Sequence, residues 1–227
     1  MTEPLFVGGP IALPETIPVF PLTGALLLPF GRMPLNIFEP RYVNMIVDAL
    51  ASHRVIGMVQ PKAMDEESPK GASPLYDVGC IGRIVEFNET EDERFIITLA
   101  GMNRFRVINE VDTMRGYRRM VVDYSEFSAD LDETDDVDLS RDGLLDSLKR
   151  YLNGRDIGAD WSAISEASNL TLVISLAMAC PFDPREKQAL LECASSAERA
   201  ELLTTLMTMA SHDDSQAGSG AQPGAGH

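Results

Sequence analysis

Nucleophilic or metal chemistry in this 227-residue chain would have to be built from three cysteines, three histidines and a handful of lysines. Cys80, Cys180 and Cys193 are odd in number, far apart and without a CxxC pair. That spacing argues for reduced, packed thiols and against a disulfide framework or a zinc site. Cys180, beside Pro181 at a helix end, reads as the least buried thiol and so as the one to weigh as a nucleophile, although no positive neighbour favours its thiolate. His53 ends a predicted helix, where a partly charged imidazole suits the C-terminal dipole. His212 and His227 lie at or in the C-terminal tail. None stands where a general base is needed, which weakens every Ser-His or Cys-His mechanism. The carboxylates are abundant, but no pair sits where one pKa would be raised selectively. The residues therefore assign no catalytic, cofactor-binding or metal-ligating role.

The charge balance limits the partners. A net charge of −16 repels phosphate backbones and anionic membrane surfaces. The three arginines of the stretch from Arg115 to Arg119 lie at a turn into a strand rather than in a basic patch. Neither nucleic acid nor membrane is expected as a partner. The first residues carry no positive leader with an apolar core, and the apolar stretch from Leu170 to Cys180 is too short for a bilayer, so the expected location is cytoplasmic.

The elements that must position any site fall into two groups, and the expected class is α+β. Residues 1–14 read as a flexible leader. Residues 15–127 are strand-rich. Ile17 to Leu22 and Ala25 to Leu28 read as extended pieces, placed at sheet edges or kinks by Pro18, Pro21 and Pro29. Arg54 to Gln60 reads as a strand, followed by a surface loop from Lys62 to Pro74. Val78 to Asn88 and Arg94 to Leu99 alternate in period two around a charged connection, as an antiparallel hairpin requires. Gly101 is expected to kink the second strand before Arg104 to Val111, and Gly116 to Phe127 supplies another strand. One helix interrupts: Pro40 suits its first position, and Tyr42, Met45, Ile46, Ala49 and Leu50 form one apolar stripe.

From Ala129 to Leu139 the chain carries six acids and no base, which reads as a solvated linker over residues 128–139. Residues 140–212 then read as a helical bundle. Its helices are Asp142 to Asn153, one long helix from Asp160 to Ala179 whose β-branched residues would also suit a strand, one capped by Asp183 with Pro184, and one opened by Ser195 with Glu198. Residues 213–227 read as a disordered tail. The strand-rich part through Phe127 holds 12 bases against 17 acids and the remainder 7 against 18, so the helical part carries most of the repulsion.

Several strings, in this order, resemble the N-terminal substrate-binding domain of Lon proteases. They are VFPL at Val19 to Leu22, PLNIFEPRY at Pro34 to Tyr42, IGMVQP at Ile56 to Pro61 and LAGMNRFRV at Leu99 to Val107, followed by FDPREKQALLE at Phe182 to Glu192. Each is weak alone; together they span nearly the whole chain. The resemblance implies a β-rich, PUA-like pseudo-barrel holding one helix and followed by a helical bundle, and it favours helix for Asp160 to Ala179. Asn36 stands where stand-alone members usually have histidine, so a role needing an imidazole there does not carry over.

A complete Lon protease adds an ATPase and a serine–lysine peptidase. This chain has no GxxxxGK[ST] loop to cradle ATP. Its lysines read as sitting in a polar loop (Lys62, Lys70) or on charged helix faces (Lys149, Lys187), whereas a Ser–Lys dyad needs a desolvated lysine. The function implied is non-catalytic binding of unfolded or extended polypeptides, as a holdase or as an adaptor for a separate ATP-dependent protease. The alternatives are a cryptic hydrolase, or a module for one fixed protein partner or small ligand. The candidate peptide-binding residues are Phe38, Glu39, Arg41, Tyr42 and Arg104. A plainer reading pairs Glu39 with Arg104 or Arg106 near the helix dipole and leaves Phe38 and Tyr42 in the core. Eleven methionines add apolar surface that adapts its shape, although most would serve as core filling.

Overall fold

The computed structural model describes residues 13–62, 73–91, 94–131, 139–155 and 158–219. Most of the expected leader, most of the loop after Lys62, the centre of the acidic segment and the last residues lie outside this set.

Among the described residues six strands come in the order β2-β5-β4-β3-β1-β6, and β5 also pairs with β6. They are β1 (Thr16–Pro21), β2 (Arg32–Ile37), β3 (Val55–Val59), β4 (Val78–Glu89), β5 (Phe95–Met114) and β6 (Tyr117–Asp123). The β5–β6 pairing closes five strands into a ring, the expected pseudo-barrel, while β2 extends the sheet beyond it. One strand serves both: β5 pairs with β2 through Ala100 and with β6 from Arg106 onward. Alternate residues of the ring strands (Ile17, Val19, Val55, Val59, Ile81, Phe105, Met120 and Val122) form one buried cluster. The opposite strand face joins α1 (Pro40–Leu50) and the C-terminal helices in a second, larger cluster. The two parts of the chain therefore share a core.

α1 begins at Pro40 and buries Tyr42, Met45, Ile46 and Ala49, as its stripe predicts. β1 departs from the expected edge position, since it lies between β3 and β6. Its prolines fit because the two pairings overlap only at Val19: Pro18 has a neighbour on the β6 side alone and Pro21 on the β3 side alone. The segment from Ala25 to Leu28 is no strand. Three consecutive leucines, Leu26 to Leu28, are all buried, which a two-sided strand could not achieve on one face. The expected kink at Gly101 is a register shift opposite Ile81 and Gly82 within an unbroken β5. A Cβ on Gly101 would overlap the Leu28 carbonyl oxygen, so only glycine lets that loop approach.

The helices are α2 (Arg141–Asn153), α3 (Trp161–Glu166), α4 (Asn169–Ala179), α5 (Pro184–Glu192) and α6 (Ser196–Ser219). The single helix expected from Asp160 to Ala179 is two. Ser168 accepts from Thr171 N at 3.2 Å and starts α4 afresh. α5 opens with a capping box in which Asp183 and Glu186 satisfy each other's backbone N–H. α6 continues through Ser219, into the stretch read as tail, because nothing after His212 breaks a helix until its glycines.

The first residues of the expected linker form a 3-10 helix, Ser125–Leu131, and Asp130 is buried. Its carboxylate accepts from Arg104 Nε and Nη2 at 2.9 and 2.7 Å and from the Arg104 backbone N–H at 2.9 Å. Arg104 Nη1 donates to the carbonyls of Leu191 and Cys193 at the end of α5, and the guanidinium lies over the Phe127 ring. Gln60 and Gln188 add a second link: Gln60 Nε2 donates to the Pro184 carbonyl and Gln188 Nε2 to that of Val78. Removing one partner of a buried pair leaves an uncompensated charge. Asp130→Ala should therefore cost about 3–5 kcal/mol in urea unfolding, with Arg104→Met/Asp130→Leu recovering part of that loss. A cost for Asp130→Ala near that of a surface change would show that the pair does not hold the two parts together.

Candidate functional site

The five residues singled out from the sequence do not converge. Arg104 is 5% exposed and fully engaged with Asp130 and α5, so it is withdrawn as a peptide contact and equally as a partner of Glu39. The other suggested partner, Arg106, pairs with Glu126. Glu39 instead binds Arg41 Nε at 2.9 Å, and the Arg41 guanidinium lies 4.5 Å from the Tyr42 ring centre. Tyr42 is a core residue, packed edge-on against Phe20, and burial pushes its hydroxyl pKa up. Arg41 and Tyr42 line a recess of about 210 Å³ with Pro21, Pro61, Tyr117 and Arg118. Phe38, just past β2, is 62% exposed.

The larger concavity lies elsewhere, between β2 and α4, with a volume of about 830 Å³. Phe30 to Pro34 form one wall, and Leu170, Ile174 and Met178 with Thr171, Ser175 and Ala179 form the other. The walls meet at Gly31, where a Cβ would collide with the Met178 sulfur. Local sequence explains each side. α4 carries no charged residue, and its solvent-facing positions, Thr171, Ser175 and Ala179, are small and four apart. Exposed helix faces ordinarily carry charge; this one offers a low, neutral floor.

β2 is the last strand of its sheet, and among the described residues nothing pairs with its outer side. Gly101 N donates to Gly31 O, so the Gly31 carbonyl faces β5. Antiparallel alternation then gives Met33, Leu35 and Ile37 to the ladder and turns the backbone groups of Arg32, Pro34 and Asn36 outward. Pro34 fits that parity, because its missing N–H falls on the open side. The edge thus offers carbonyls at all three residues and donors at Arg32 and Asn36. Phe30, at the mouth of the groove, is 49% exposed and holds φ at 63°. A large side chain in the left-handed region is strained, and such strain gathers at working sites.

Sequence reasoning overlooked this groove. The signals that could have found it are the absence of charge from Asn169 to Ala179 and the aromatic at Phe30 ahead of Gly31. It also misplaced the reactive groups. Cys180 is buried rather than accessible, and burial raises its thiol to about 11. Cys80 and Cys193 are raised by burial as well. Lys187 is not on a charged face: it is buried, burial lowers its pKa, and its Nζ donates to the Met178 carbonyl at 3.0 Å. Among the described residues no group of three or more His, Cys, Asp or Glu could hold a metal ion, and no helix is long and apolar enough to cross a membrane.

Residues 16–209 match the family model of the ATP-dependent protease La (LON) substrate-binding domain. Lon protease 2 of Myxococcus xanthus is 27% identical over 204 residues, covering 86% of this chain and 24% of that protein. The chain thus spans about a quarter of that relative's length. A Lon N-terminal domain protein from Xanthomonas campestris superposes with a TM-score of 0.58 at 22% identity, over 84% of this chain and 97% of the other. The N-terminal domain of a Mycobacterium avium complex Lon protease gives 0.54 at 16% identity, over 86% and 98%. At these identities the two structures establish a shared fold.

Two measurements check this site. At pH 7.5 an aromatic disulfide reagent should react with none of the three thiols within the first minutes, with full reaction on unfolding and a Cys180 rate that climbs as pH nears 11. A fast native thiol would restore the nucleophile reading. Because asparagine tolerates left-handed backbone, Phe30→Asn should leave unfolding stability within about 1 kcal/mol of the parent. A larger loss would make Phe30 a packing residue.

Proposed function

The chain belongs to the LON substrate-binding domain family, and from that membership we propose that it binds extended or unfolded polypeptide segments without cutting them. The observation that carries this reading is the open edge of β2 beside a neutral, largely apolar groove. A segment laid along that edge gains main-chain hydrogen bonds from Arg32, Pro34 and Asn36. Its alternate side chains enter the space between Met33 and α4. Main-chain pairing is indifferent to side-chain identity, which suits a protein that must accept many sequences. The adaptable thioethers of Met33 and Met178 in the groove wall serve the same breadth.

The groups available for chemistry support a binding role. The buried Lys187 is committed to a carbonyl, and the thiols are held protonated by burial. Bound segments would be kept from aggregating or passed to a separate ATP-dependent protease; proteolysis itself belongs to the relatives, of which this chain spans only a part. Phe38, Glu39 and Arg41, at the far end of β2, are where a longer segment would leave the groove.

The test uses reduced, carbamidomethylated lysozyme, labelled for fluorescence anisotropy, as a permanently unfolded client. Ser175→Arg fills the groove floor from an exposed helix position and should weaken client binding about tenfold or more, or about 1.4 kcal/mol, at unchanged stability. Thr205→Arg on α6, which lines a separate recess, should bind like the parent. Equal binding by all three proteins would place the client elsewhere, and absence of saturable binding to the parent would overturn the function.

A further inference from the structure

Resting on that reading, we infer that the groove selects segments of one pattern: a short, uncharged core of alternating apolar and small polar residues, flanked on both sides by lysine or arginine. Among the described residues Arg32 is the only charged side chain lining the groove, and Glu86 holds it at 2.6 Å. Glu86 also accepts from Thr98 Oγ1 at 2.6 Å, so both charges of this solvent-exposed pair already have partners. α4 contributes no charge. A charged side chain carried into the groove would lose its hydration and find no partner. The core must therefore be neutral.

Its alternation follows from the two sides of β2. Met33 and Leu35 turn toward the core and α4, and an added strand places every second residue beside them. Arg32, Pro34 and Asn36 turn to the exposed side, and the remaining residues of an added strand lie beside them, where small polar side chains keep their hydration. β2 is six residues long, so a core of about six residues spans it, roughly 20 Å at strand spacing.

The flanks are set by the field of the whole molecule. The net charge is −16, and the part of the chain after Phe127, which contains α4, holds 7 bases against 18 acids. Flanking residues leave the groove into the field of this acidic molecule, which reaches about one Debye length (~10 Å at 0.1 M salt) from its surface. Basic flanks are drawn in and acidic flanks repelled, an effect that falls as salt rises.

Three labelled peptides decide the matter. The first has a Val-Thr-Val-Thr-Val-Thr core between lysine pairs, the second the same core between glutamate pairs, and the third a Gly-Ser-Gly-Ser-Gly-Ser core between lysine pairs. At about 50 mM salt the first should bind at least tenfold more tightly than either of the others. Its advantage over the second should shrink below about threefold at about 300 mM salt. Ser175→Arg should abolish its binding, while Thr205→Arg should not. Equal affinity for lysine and glutamate flanks, with the valine core still required, overturns the flank rule and leaves polypeptide binding standing. Equal affinity for both lysine-flanked cores overturns the groove as the recognition element. If no peptide binds and unfolded lysozyme also fails, the parent reading falls with it. Sedimentation velocity supplies the remaining outcome: self-association of the parent, lost in Ser175→Arg, would make a second copy of this chain the occupant and overturn the inference.

Discussion

A guanidinium taken out of water needs partners for its N–H donors, and Arg104 finds them in two separate parts of the chain. The carboxylate of Asp130 holds one side of it, and the last carbonyls of α5 hold the other. Neither set would suffice alone. The carboxylate supplies countercharge, while the carbonyls fix where the helices sit against the ring of strands. Gln60 and Gln188 repeat the arrangement with neutral groups close by. Desolvation makes each of these contacts costly to lose, so the seam between sheet and helices is defined at α5 rather than left to apolar packing, which tolerates sliding.

The groove follows from that seam. With α5 pinned to β4, α4 is carried to a fixed place beside β2, and Gly31, just ahead of that strand, admits Met178. Farther along, the two elements part. The sheet could have continued across the gap with another strand, but Pro34 turns its ring side outward and the loop before β2 bends away at Phe30. What remains is a strand with half its hydrogen-bonding capacity unspent beside a helix that carries no charge to repel a visitor. Long exposed edges invite aggregation; this one is short and interrupted by proline, which is how natural sheets keep such edges safe.

Local patterns were legible in the sequence wherever neighbours in the chain decide the outcome. The β4–β5 hairpin, the stripe of α1 and the N-cap at Asp183 all rest on stretches close together in the chain, and all formed as expected. The string resemblance extended this to the architecture as a whole. Contacts between distant residues were not legible. The prolines of β1 argued for an edge, yet two partial pairings leave each of them room inside the sheet. Arg104 looked like an exposed strand arginine because its partners lie 26, 87 and 89 positions away. The groove was hidden for the same reason, since its walls come from residues 30–34 and 170–179 and neither stretch is unusual without the other.

The distance between Arg104 and its last partner also bears on biosynthesis. A ribosome releases the strands of the ring well before it completes α5. Until Cys193 has emerged, the guanidinium has only part of its final company, and the strand face meant for the helices stays wet. Vectorial synthesis therefore cannot finish this molecule piece by piece. Its strands wait on α5, and a truncation before that helix leaves a nascent product that itself resembles a client.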